Sequence, residues 1–108
     1  MKTDRELLEL AAKAEGITLH AVGNSDGEVV FYTYPDMLFW NPLTDDGDAL
    51  RLVARLNFCI DISYGAVRIV DVLDNVHYLS VVATNQEDQM KVVRRAIVSA
   101  AAAIGEAM

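Results

Sequence analysis

Three carboxylates crowded into four positions, Asp45, Asp46 and Asp48, are the first residues in this chain whose types could do chemistry. A calcium loop needs oxygen ligands at alternating positions, a glycine at its turn and a distal glutamate. Here Gly47 falls between the acids and no distal acid follows, so the spacing fits the start of a helix better than a metal site. Acidic side chains are stabilising there because they oppose the positive end of the helix dipole. Asp26-Gly27-Glu28 fails the calcium template in the same way.

Other constellations are weaker. Cys59 could pair with His20 or His77 as a thiolate, but a reactive thiolate needs an electropositive setting. Cys59 instead shares a strand face with Asp61, which favours a structural thiol. Two histidines on separate strands make a poor zinc site. Asp61, Asp71 and Asp74 could converge for hydrolysis, although Arg68 between them points to cross-strand charge pairing. The glycines are scattered singly, so there is no phosphate-cradling loop. No catalytic residue, metal or cofactor is therefore expected, and a non-enzyme is the preferred reading.

The aromatic run Phe31, Tyr32, Tyr34, Phe39 and Trp40 is the best recognition surface, since Tyr and Trp dominate binding hot spots. Two roles stay open for Phe39 and Trp40: contact with a partner, or a plug for one end of the core. The binding patch expected from sequence is Phe39, Trp40, Asn41, Pro42, Asp45, Asp46 and Asp48, with aromatics supplying area and carboxylates steering a basic partner.

Periodicity gives the elements that must position these residues. Thr3-Asp4-Arg5-Glu6 fits a capping box opening a helix. Leu7, Leu10, Ala11 and Ala14 form its apolar face and Gly16 stops it. Ile17 to Val22 and Glu28 to Tyr34 read as a hairpin across the turn Asn24-Ser25-Asp26-Gly27. Pro35 ends the second strand, and a loop runs from Asp36 to Leu43. Thr44 is the expected N-cap of a second helix with Leu50, Val53 and Leu56 buried, Arg51 and Arg55 on another face, and Asn57 at its end.

Phe58 to Tyr64, Ala66 to Val72 and Val76 to Ala83 follow as strands separated by Gly65 and Asp74-Asn75, apolar enough to be central. A second capping box, Thr84 to Glu87, opens a terminal helix with Met90, Val93, Ile97, Ala100 or Ala101, and Ile104 inward. Its Ala-rich half is apolar nearly all round. It must lie in a groove of its own domain or meet a second subunit. The order α-β-β-α-β-β-β-α predicts a single α+β domain over 1–108, with one antiparallel sheet of about five strands and helices mainly on one face.

Composition bounds the function. A net charge of −7 with dispersed basic residues argues against direct nucleic-acid binding. A single cysteine suits a reducing cytoplasm. The charged N-terminal residues carry no export signal, and the run Ala96 to Gly105 is too short to span a bilayer.

The segment WNPLTDDGDALRL (Trp40 to Leu52), with RELLELAAKAEGI before it and VVRRAIVSAAAAIGEAM at the end, resembles a group of small uncharacterised bacteriophage and prophage proteins. The resemblance implies a phage accessory protein acting in the bacterial cytoplasm, and it carries over no catalytic residues. The expected function is non-enzymatic binding of another protein, with a homodimer also considered. One alternative is a small metal- or ligand-dependent enzyme with a pocket between the hairpin and the second helix. Another is an acidic inhibitor of host defence or DNA-binding machinery.

Overall fold

The computed structural model describes residues 2–23, 25–63, 66–71, 76–81 and 89–108. The elements run α1 (Asp4–Glu15), β1 (Thr18–Gly23), β2 (Val29–Tyr34), α2 (Asp46–Leu56), β3 (Phe58–Ser63), β4 (Ala66–Asp71), β5 (Val76–Val81) and α3 (Gln89–Ala107). The fold is α+β, and every strand pairing among the described residues is antiparallel.

The strands do not form the single sheet expected from sequence. They divide into a β1-β2 ribbon and a separate sheet in the order β3-β4-β5. The chain between β2 and β3 explains the division, because it holds a loop and all of α2. Only β4 is central in the second sheet; β5, expected to be central, lies at its edge among the described residues.

Local chemistry sets the element ends. The capping box of α1 forms as expected, with Thr3 Oγ1 accepting from the Glu6 N–H at 3.2 Å and Glu6 Oε1 accepting from the Thr3 N–H at 3.2 Å. The bonds that Glu6 Oε1 accepts from the Thr3 N–H and hydroxyl hold its carboxyl below the usual carboxylate range. Gly16 closes α1 at φ 82, a left-handed conformation open to glycine at little cost. Asn57 closes α2 at φ 56, also left-handed. The turn at 64–65, the turn at 72–75 and the capping box at 84–87 lie outside the described residues.

Two expectations for α2 are corrected. Asp45, not Thr44, is the N-cap, its Oδ2 accepting from the Asp48 N–H at 2.8 Å. Ala49 and Leu52 are buried in place of Leu50, which is exposed, while Val53 and Leu56 are half-buried against the core. The resulting spacing of 49, 52, 53 and 56 is that of a single helical face.

The apolar circumference of α3 is covered within one chain. α1, α2, β4 and β5 all pack against it. Val93, Ala96, Ile97, Val98, Ala100, Ala101 and Ala102 are all buried, and Ile104 is half-buried. Met90, expected inward, is exposed. Small side chains bring α1 and α3 close: an ideal Cβ on Gly105 would stand 2.0 Å from the Leu10 carbonyl oxygen. Ion pairs Arg95–Asp4 (2.9 Å) and Lys2–Glu106 (2.8 Å) flank the contact.

Candidate functional site

The loop after β2 turns back on its own strand. Pro35 follows Tyr34 through a cis peptide bond, and the Met37 N–H donates to the Thr33 carbonyl at 2.7 Å. The Thr33 N–H donates to the Leu38 carbonyl at 2.8 Å, and the Leu38 N–H donates to Thr33 Oγ1 at 3.2 Å. Phe39 then bridges to Tyr32, and the Trp40 N–H donates to the Phe31 carbonyl at 3.0 Å. Side chains alternate along this short added strand, as a two-residue period requires. Trp40 points inward beside Phe31 and is 4% exposed, while Phe39 is 54% exposed with its ring edge-on to Tyr32.

The expected patch of seven residues is thereby divided. Trp40 and Pro42 are buried in the fold. Asn41 organises the turn, its Oδ1 accepting from the Leu43 N–H and its carbonyl from the Thr44 and Asp45 N–H groups. Asp48 is buried, with Oδ2 accepting from the Asn41 N–H at 2.9 Å and Oδ1 paired to Arg51 at 2.7 Å. Asp45 caps α2. Asp46 meets Arg94 of α3 at 2.6 Å, and the Arg94 Nε–H also donates to the Leu43 carbonyl at 2.9 Å. The carboxylates therefore clasp the loop, α2 and α3 together. Among the seven, Phe39 presents the large exposed aromatic surface.

Phe39 is not alone. Tyr34, Met37 and Leu38 are also exposed, Leu38 at 63%. Single exposed apolar side chains are ordinary, but several on one short loop mark a contact surface.

This rim borders a cleft of about 710 Å³ between the hairpin, the end of α1 and α2. Glu15, Thr18, Tyr34, Leu38, Trp40 and Arg55 are among its walls. Glu15 is the residue that sequence reasoning missed. It is the last residue of α1, where a negative charge faces the negative end of the helix dipole. Its Oε2 is buried without a hydrogen-bond partner. Burial pushes its carboxyl above the ordinary carboxylate range, opposed in part by the charge of Arg55 and reinforced by that of Asp48. An acid at a helix's last turn, two residues before a strand, was the available signal.

No family model matches the chain, and no curated protein or solved structure is significantly similar to it. Its function must be argued from its own residues.

Among the described residues, the remaining candidates do not assemble a catalytic group. Asp61 pairs with Arg68 across the β3-β4 register at 2.9 Å. Asp71 stands opposite Phe58 and so projects from the other face of the sheet. Asp74 and the side chain of His77 lie outside the described residues. Cys59 and His20 are exposed on different sheets. No group of three or more His, Cys, Asp or Glu is placed to hold a metal among the described residues. A second cavity of about 350 Å³ between α1 and α3 is lined by Lys2, Arg95 and Glu106, whose charges are engaged in ion pairs.

Proposed function

We propose that this chain is a non-enzymatic accessory factor of phage or prophage origin that binds another protein. Contact is made through the rim formed by Tyr34, Met37, Leu38 and Phe39 and the cleft beneath it. The observation that carries the reading is the exposure of these large apolar side chains on a loop whose backbone is held by Thr33 and by the Tyr32–Phe39 bridge. A pre-ordered rim loses little conformational freedom on binding, so more of its contact energy appears as affinity. The phage attribution and the cytoplasmic setting rest on the resemblance of the segment at 40–52. No helix among the described residues is long and apolar enough to cross a membrane.

A different protein is a better partner than a second copy. The apolar circumference of α3, which suggested a homodimer, is covered by α1, α2 and the sheet of the same chain. The enzyme reading has a cleft in the expected place, but Asp48 there is committed to Arg51 and the Asn41 backbone. The acidic-inhibitor reading draws on the net charge alone.

A photo-crosslinking amino acid placed at Leu38, with Glu9 on the exposed face of α1 as control, tests the proposal in bacterial host cells. The expected result is one discrete protein adduct from position 38 and none from position 9. No adduct at position 38, or the same adducts from both positions, would contradict it.

A further inference from the structure

We infer that the cleft beneath the rim receives an arginine side chain of the partner, whose guanidinium reaches Glu15 and Asp36. The inference rests on the protein-binding reading above and names the chemistry of the partner.

The orphaned oxygen of Glu15 is an acceptor, so what it lacks is a donor. Leaving such a group buried and unsatisfied is unfavourable, and an incoming donor removes that cost. Arg55 acts on Glu15 through its charge but forms no ion pair with it within bonding distance among the described residues. Arg51 is committed to Asp48 at 2.7 Å. Asp36, exposed on the cleft wall, has no partner among the described residues. The charged lining is Glu15, Asp36 and Asp48 against Arg51 and Arg55, a net of 2 − 3 = −1, within a chain of net charge −7. A cation is therefore favoured over an anion.

Guanidinium suits the walls better than ammonium. Its planar fork offers five donors, enough to serve two carboxylates, and it stacks on aromatic faces. Tyr34 and Phe39 are the aromatic side chains of the cleft's outer lining, where a guanidinium can stack. Leu38 and Ile17 offer apolar surface to the methylene stem.

Trp40, the only tryptophan, lines the cleft and so reports on its occupancy. The probe is the capped peptide acetyl-Leu-Arg-Leu-amide, titrated against the intact chain by tryptophan fluorescence. Its citrulline counterpart, isosteric but uncharged, is titrated alongside. The arginine peptide should bind at least about tenfold more tightly than the citrulline peptide, and Glu15→Gln should remove that preference. Glu15→Gln should melt at or above the wild-type temperature, because it sheds a charge that burial disfavours; Asp36→Asn provides a second test on an exposed residue. Equal binding of the two peptides, no saturable change at millimolar peptide, or an undiminished preference in both variants would overturn the inference. An adduct at position 38 without arginine preference would sink the inference alone, whereas preference without an adduct would sink the partner reading alone.

Discussion

Gly105→Ala should destabilise the protein by roughly 3 kcal/mol. The usual expectation has the opposite sign, since alanine is about 1 kcal/mol better than glycine inside a helix. Contact geometry decides which effect wins. An added Cβ would stand 2.0 Å from the carbonyl oxygen, 2.8 Å from the carbonyl carbon and 3.3 Å from the Cα of Leu10. These are backbone atoms of α1, which cannot rotate aside as a side chain could. The helices would have to separate, loosening Leu7, Leu8 and Ala11 of α1 and the alanines of α3, and stretching Arg95–Asp4 and Lys2–Glu106. A loss of that size is a large fraction of the roughly 5–15 kcal/mol by which such domains are stable. Urea unfolding of the two proteins measures it. A more stable alanine variant would show that the helices are not in backbone contact at this position.

Trp40→Ala should cost about 3–5 kcal/mol, the range for removing a buried Trp or Phe side chain. Trp40 is 4% exposed in the core with Phe31. Deletion leaves a cavity that the surrounding side chains fill only in part. Phe39→Ala, one position away but pointing outward, should cost only about 0.5–1.5 kcal/mol, the worth of its edge-on contact with Tyr32. The pair is read by denaturant titration. Similar losses for both, or a smaller loss for Trp40, would show that the alternation along 38–40 is wrong.

Much of the fold was legible in the sequence because it rests on local rules. The capping box at Thr3 and Glu6, the helix ends at Gly16 and Asn57, and the hairpin follow from side-chain chemistry within a few residues. The partition of strands into two sheets was not legible, since alternation says which face a residue occupies but not which strand lies beside it. The cap of α2 was missed by one position because Thr44 and Asp45 are both competent caps. The choice between them is made by Asn41, whose carbonyl takes both their N–H groups and places Asp45 at the helix mouth. Leu50 lies about 100° round the helix from Ala49 and falls outside the buried face of 49, 52, 53 and 56.

The candidate site was half legible. Types and spacing found the segment at 39–48, but not that its aromatic and acidic members serve different ends. Trp40, Pro42 and Asp48 are buried, and Asp45 and Asp46 hold α2 and α3 in place, while the exposed apolar surface lies just before them. Glu15 joins the site only through tertiary packing, which brings the end of α1 against Trp40 and α2.

The central claim is that the partner touches the rim and that the acidic segment only builds the fold. It is tested most directly by the amount of the cross-linked partner retained on purified Leu38→Ser/Phe39→Ser, compared with Asp45→Asn/Asp46→Asn and wild type. Asparagine caps helices about as well as aspartate at position 45, and at position 46 its carbonyl oxygen still accepts from Arg94; an unchanged urea midpoint establishes that the second variant keeps its fold. The account predicts at least about a tenfold loss of retained partner for the rim variant, and near wild-type retention for the acidic one. Full retention by Leu38→Ser/Phe39→Ser, with loss in Asp45→Asn/Asp46→Asn, would contradict it.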